Sequence, residues 1–197
     1  MFLVAIEGVD GAGKTTQAEL LRASVASAGL GVKLRSFPAY DSFIGREIRE
    51  MLRDSHELDA RSAALWFATD RRQALQHEPL GADVEICNRY TLSNAVYQSS
   101  RVPKAESQDT YEWVLELERE LGIPAPDLTF VLDVTPALVA ERTAARAELD
   151  QYERLRDLQD RVRARYLAAD GVVVISCDGR TPEDIAADLL TEFRRAR

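Results

Sequence analysis

From Gly8 to Thr15 the chain reads Gly-Val-Asp-Gly-Ala-Gly-Lys-Thr, and an apolar run, Phe2-Leu-Val-Ala-Ile6, leads into it. A helix-compatible segment, Thr16-Gln-Ala-Glu-Leu-Leu-Arg22, leads out. The spacing G-x-x-x-x-G-K-[ST] between a buried strand and a helix constrains this chain more than any other feature, because few folds end a strand in a tight turn that opens directly into a helix. Gly8, Gly11 and Gly13, with the small Ala12 among them, let the backbone curl so that its N–H groups converge on an anion. The helix N-terminus adds partial positive charge. Lys14 then reaches outer phosphate oxygens, the Thr15 hydroxyl serves a Mg²⁺ ion, and Thr16 opens the helix beside them.

A chain of 197 residues is long enough for one domain with a sizeable core. With 46% apolar and 29% charged residues it is ordinary globular material. The net charge of −8 argues against a general nucleic-acid or membrane-surface binder. It also sets a problem, since a nucleotide is an anion and local arginines must reverse the field where it binds. Cys87 and Cys177 each sit beside an apolar run and read as buried thiols of a reducing cytosol. Two histidines and no C-x-x-C leave little for a structural zinc. Phe2–Ile6 is too short for a signal sequence and no apolar run approaches a membrane span, so we expect a cytoplasmic protein.

Near-continuous apolar runs at Phe2–Ile6, Leu128–Leu132 and Gly171–Ser176, with weaker ones at Val32–Ser36 and Asp83–Cys87, predict five parallel strands covered on both faces. Helices are predicted over Lys14–Ala28, Ile44–Arg53, Ala60–Gln76, Leu92–Ser99, Thr110–Leu121, Pro136–Arg146, Leu155–Ala169 and Pro182–Arg195. Gly29 ends the first of them, while Thr135-Pro136 and Thr181-Pro182 place a capping hydroxyl before a proline at the first helical position. The alternation predicts a doubly wound α/β domain over residues 1–197, binding ligands at the carboxyl ends of its strands.

The loop alone does not choose among kinase, GTPase and ATPase. There is no Asn-Lys-x-Asp to read guanine after a strand. A nucleotide kinase needs a second anion site, a base pocket and a closing lid, and each has a candidate. At the end of a predicted strand, Asn88-Arg89-Tyr90 offers an arginine fork for an acceptor phosphate; a surface arginine paired to a carboxylate is the other reading. On a predicted helix, Phe67 and Arg71 lie four apart and share a face that can stack on a base and donate to a ring carbonyl. Trp66 beside them reads as a core residue. Arg142 and Arg146, also four apart, sit in a charged stretch suited either to a lid that closes on phosphates or to a solvated helix face.

Taken together and in order, these motifs resemble the thymidylate kinases, a family of P-loop nucleoside monophosphate kinases. The resemblance runs through Ile6-Glu-Gly-Val-Asp-Gly-Ala-Gly-Lys-Thr-Thr16, Phe37-Pro38, Ile44-Gly45 and Leu65-Trp-Phe-Ala-Thr-Asp-Arg71. It continues through Asn88-Arg-Tyr90, Ser93-Asn94, Ala95-Val-Tyr-Gln98, Pro126-Asp-Leu128 and Leu132-Asp-Val-Thr-Pro136. It implies a three-layer fold, a five-stranded parallel sheet flanked by helices, with a lid at about residues 141–154. It also implies ATP and Mg²⁺ as cofactors, dTMP as substrate and a homodimer.

Residue roles follow from the resemblance alone. Asp10 would lie near the sugar 3′-hydroxyl and the metal. Phe67 would stack on thymine, Arg71 would bond its O4, and Arg89 would hold the acceptor phosphate. Asn94 and Gln98 would lie on the nucleoside, with Asn94 at the base edge. Tyr97 would crowd the 2′ position, Tyr40 would lie near the phosphate, and Pro38 would follow a cis bond from Phe37. Arg146 would be the catalytic lid arginine, Arg142 would pack on adenine, and Tyr152 and Glu153 would close near the nucleotide. Three positions depart from the family pattern. Asn88 stands in place of the usual Asp, so metal binding would lean on Thr15, Asp10, Glu7 and the phosphates. Ala39-Tyr40 replaces an arginine after Phe-Pro, and Gln151 stands where some relatives have another arginine in a longer lid.

The implied reaction is ATP + dTMP → ADP + dTDP, a step toward dTTP. Its nucleophile is already anionic, so positioning and charge neutralisation carry the catalysis. Two alternatives stay open. One is a kinase for another deoxypyrimidine monophosphate, such as dUMP or a modified base. The other is a non-catalytic nucleotide-binding protein derived from a kinase.

Overall fold

The computed structural model describes residues 1–54, 58–143, 152 and 155–197. The expectations placed on Arg146, Gln151 and Glu153 therefore lie outside the described residues. In chain order the elements are β1 (Phe2–Glu7), α1 (Lys14–Ser27), β2 (Val32–Ser36), α2 (Phe43–Asp54), α3 (Ala60–His77), β3 (Val84–Asn88), α4 (Thr91–Arg101) and α5 (Lys104–Glu120). They continue with β4 (Leu128–Asp133), α6 (Pro136–Thr143), α7 (Arg156–Leu167), β5 (Val172–Ser176) and α8 (Pro182–Ala196).

The five strands form one parallel sheet in the order β2-β3-β1-β4-β5. Alternate side chains of β1 enter two different cores, Val4 and Ile6 one, Leu3 and Ala5 the other, so both faces of the sheet are covered. That is why β1 carries no polar residue before Glu7, and it makes the molecule a three-layer α/β fold. The strand order changes direction at β1. The carboxyl ends of β1, β3 and β4 meet there, and a ligand crevice opens at such a point.

All five predicted strands are present, and most helix ends fall within two residues of expectation. Helix α8 starts on a full capping box, Thr181 with Asp184, and Pro182 follows the cap. Helix α5 is the main difference: it begins at Lys104, not Thr110. Its first turns, Lys104-Ala-Glu-Ser-Gln-Asp109, are polar and show no periodicity, but Pro103 at the N-cap starts the helix. Trp66 is corrected too. It and Leu65 lie on the solvent side of α3, 37% and 46% exposed, while Phe67 turns inward. Cys87 and Cys177 are buried free thiols, and burial pushes them up to about 12 and about 11.

Candidate active site

The phosphate loop joins β1 to α1 and depends on its glycines. Gly8, Gly11 and Gly13 all have positive φ, and a Cβ on Gly8 would lie 2.7 Å from the Leu132 carbonyl oxygen of β4. Gly13 in the left-handed conformation caps α1, so Lys14, Thr15 and Thr16 form its first turn. Lys14 Nζ donates to the Val9 carbonyl at 2.7 Å and lies 4.0 Å from Asp10. Arg142 on α6 donates to the carbonyls of Gly11 and Ala12 at 3.3 and 3.4 Å, so its guanidinium covers the outer side of the loop.

Asn88 and Arg89 come to this loop from β3. Asn88 Nδ2 donates to Thr15 Oγ1 at 3.1 Å, and its Oδ1 is buried with no partner among the described residues. Arg89 adopts the left-handed conformation (φ 62°), which turns its side chain back across the loop. Its guanidinium pairs with Asp10 and donates to Ser93 Oγ at 3.2 Å, Tyr97 OH at 3.3 Å and, weakly, the Gly8 carbonyl. Tyr97 OH donates to the other Asp10 oxygen at 2.7 Å. Burial alone would raise the Asp10 carboxyl. The Arg89 and Lys14 cations and the Tyr97 hydroxyl outweigh it and hold the group at about 2. Asp10 is therefore an anion that holds Arg89 and Tyr97 in place.

Glu7 does something other than the metal binding expected of it. It is fully buried, accepts from the backbone N–H groups of Tyr90 and Ser93 at 2.9 and 3.2 Å, and also bonds the Ser93 and Tyr166 hydroxyls. Its carboxylate, with two donors on each oxygen, anchors the start of α4. The first turn of α4 supplies donors that suit an anion.

Two adjoining cavities meet at Arg89. One follows the phosphate loop past Gly11, Lys14, Thr15, Thr16 and Asn88. The other runs under Phe67, Arg71, Asn94, Tyr97, Gln98 and Tyr152. Asp10, Phe37, Pro38, Tyr40 and Arg89 line both. The Phe37–Pro38 bond is cis, as expected. Asp70 on α3 holds the turn that follows, accepting from Ala39 N at 2.8 Å and Ser42 Oγ at 3.0 Å. The Arg49 guanidinium lies 4.5 Å from the Tyr40 ring centre.

The inner end of the second cavity rests on a residue that sequence reasoning missed. Glu118 of α5 is 1% exposed and accepts from Arg71 Nε (3.0 Å) and Nη2, and from Asn94 Nδ2 (2.9 Å). Thr110, Val114 and Glu118 are the buried residues of α5, so a carboxylate sits where the helical stripe calls for an apolar group. That misfit is the signal in the sequence. Arg101, also missed, donates to Gln98 Oε1 at 2.8 Å and to the Leu58 carbonyl, and covers the Tyr152 ring at 4.9 Å. Every described member of the expected site thus lies on or beside the two cavities; Gly8 and Ala12 contribute backbone carbonyls to Arg89 and Arg142. Among the described residues no three His, Cys, Asp or Glu side chains converge as a metal cage.

The chain matches the thymidylate kinase family model over residues 6–182. It is 39% identical over 185 residues to the thymidylate kinase of Mycobacterium tuberculosis, covering 86% of each chain. It is 34% identical over 175 residues to a probable thymidylate kinase of Pyrococcus abyssi, covering 84% of this chain and 81% of that one. In structure it resembles the thymidylate kinase of Candida albicans, with a TM-score of 0.79 and 24% identity over 99% of this chain and 92% of the other.

Proposed function

The chain belongs to the thymidylate kinase family, and from that footing we propose how its two cavities divide the work. The reaction is transfer of the γ-phosphate of ATP to dTMP, giving ADP and dTDP. ATP lies along the loop, its phosphates on the N–H groups of residues 11–16 and on Lys14, with Arg142 against the adenine. dTMP fills the second cavity, its base between Phe67 and Arg71 and its phosphate at Arg89. The observation that carries this reading is that Arg89 and Asp10 line both cavities, so donor and acceptor phosphates meet there.

An acceptor phosphate oxygen is already anionic near neutral pH and needs no strong base. Arg89 brings it in line, and Asp10 and Tyr97 prevent the guanidinium from drifting. Lys14 leaves the Val9 carbonyl for the transferring phosphoryl group. Arg146, outside the described residues, is proposed from the sequence as the cation that closes over that group. Tyr97 under the sugar favours a deoxyribose. The convergence of these cations with the loop N–H groups is how a chain of net charge −8 binds two anions.

The donor set fits Mg²⁺ that arrives with ATP rather than one held by a protein cage. Such an ion takes most of its oxygens from phosphate and water and one or two from protein. Thr15 Oγ1 would ligate it directly, and Asp10 and Asn88 Oδ1, which has no partner among the described residues, would accept from its waters. The bound ion would neutralise charge on the transferring phosphate.

We further propose that two copies pair through α3, where Leu65 and Trp66 lie outward. No described helix is long and apolar enough to cross a membrane, and we place the activity in the cytoplasm. Steady-state turnover with ATP and Mg²⁺ across dTMP, dUMP, dCMP and dGMP tests the substrate. The highest kcat/KM falls on dTMP. A higher value for dUMP would reassign the substrate, and binding without turnover would overturn the enzymatic reading.

A further inference from the structure

The inner wall of the second cavity carries three polar side chains, and two residues behind that wall determine which atom each one presents. Arg71 is a donor at every nitrogen, and with Nε and Nη2 on Glu118 it keeps Nη1. Asn94 points its Nδ2 at two acceptors, Glu118 Oε1 at 2.9 Å and the Ala64 carbonyl at 3.0 Å. Its Oδ1 is buried with no partner among the described residues. Turning the amide over would set an oxygen against two oxygens, so this orientation is enforced. Gln98, one helical turn on, accepts from Arg101 at its Oε1, and its Nε2 is likewise buried and unpartnered. Turning that amide would set an N–H against the guanidinium.

We propose that Glu118 and Arg101 are positioning residues that determine base specificity, by fixing the order donor, acceptor, donor along Arg71, Asn94 and Gln98. The inference rests on the reading of this cavity as the base pocket. A 4-oxopyrimidine presents acceptor, donor, acceptor along O4, N3–H and O2, which matches all three. A 4-aminopyrimidine presents donor, acceptor, acceptor and fails against Arg71 and Asn94. Neither Glu118 nor Arg101 lines the cavity, so both act through the residues they hold. Buried, unpartnered polar atoms are costly until a ligand satisfies them, which is why such a site rejects a ligand of the wrong polarity strongly.

The test compares kcat/KM for dTMP with dCMP, and for dTMP with its 2-thio analogue, in the wild type and in Glu118→Gln and Arg101→Met. A glutamine at 118 can donate to Asn94, leaving only the Ala64 carbonyl to oppose the turned amide. The dTMP/dCMP ratio is expected to fall at least about tenfold, with the KM for ATP unchanged. Removing Arg101 frees Gln98, and the preference for the 2-oxo over the 2-thio base is expected to fall about fivefold or more. General loosening of the fold would slow both substrates of a pair together and leave each ratio in place. Either folded variant that keeps its wild-type ratio within about twofold overturns the proposal; if Glu118→Gln does not fold, Arg101→Met decides. A wild type that does not prefer dTMP over dCMP would instead overturn the base-pocket reading itself.

Discussion

Arg89 and Asp10 form an ion pair across the junction of the two cavities, one residue from the end of β3 and the other from inside the phosphate loop. The pair keeps a strongly basic side chain charged and oriented beside the place we propose for phosphoryl transfer. Burial works against the Arg89 charge, and Asp10 together with the Tyr97 and Tyr166 hydroxyls outweighs it.

Replacing Arg89 by alanine removes the grip on the acceptor phosphate and leaves the Asp10 anion with only Tyr97 and the more distant Lys14. The expected result is a fall of about 10³-fold in kcat/KM for dTMP, mostly through KM. The KM for ATP should change little. Initial-rate kinetics with each substrate varied in turn checks this, and an unchanged KM for dTMP would remove Arg89 from the acceptor site.

Acid should expose the same pair. Asp10 is held at about 2 in the folded protein, below its ordinary 3.8. A lowered carboxyl stabilises the fold above the unfolded value, and that stability is lost as pH falls from about 4 through 2. The shift corresponds to about 2 kcal/mol. The stability gap between wild type and Asp10→Asn should therefore shrink between pH 5 and pH 2.5 in denaturant unfolding. A gap independent of pH would contradict the assignment.

Arg146→Ala should lower kcat by about 10³-fold with little effect on dTMP affinity, as expected of a cation that meets only the transferring phosphoryl group. Single-turnover and equilibrium binding measurements separate the two effects. A loss below about tenfold would end that role.

Gly45 near the start of α2 is a mechanical constraint on the second cavity. A Cβ there would lie 2.0 Å from the Ala39 carbonyl oxygen, and backbone cannot give as a side chain tip does. Gly45→Ala should force the Phe37–Tyr40 turn away from Asp70, destabilising by about 1–3 kcal/mol. Thermal unfolding and the KM for dTMP should both register it, with ATP binding less affected. An unperturbed KM for dTMP would mean that the turn does not shape the cavity.

What could be read from the sequence was local. The strand, loop and first helix are contiguous, and each glycine has a backbone reason to be where it is, so Gly8 to Thr16 was legible at once. Phe67 with Arg71 is legible because helical spacing puts the pair on one face, whereas Asn94 and Gln98 come only from the family resemblance. Partners made by the fold were not legible. Glu118 reaches Arg71 across 47 positions, and nothing near Glu118 in the chain shows that its helix crosses behind α3 and α4. Glu7 is expected to help with a metal because Asn88 lacks the charge of the usual Asp, whereas α4 and Tyr166 of α7 close over its carboxylate. Trp66 reads as core because composition does not distinguish an apolar residue facing inward from one left on the surface.

The most direct test follows the phosphate. ATP labelled at the γ position, mixed with dTMP, Mg²⁺ and the protein, should pass its label to dTDP at the rate that ADP forms, with little label released as inorganic phosphate. Label in inorganic phosphate alone, or no dTDP while ATP and dTMP both bind, would contradict the account.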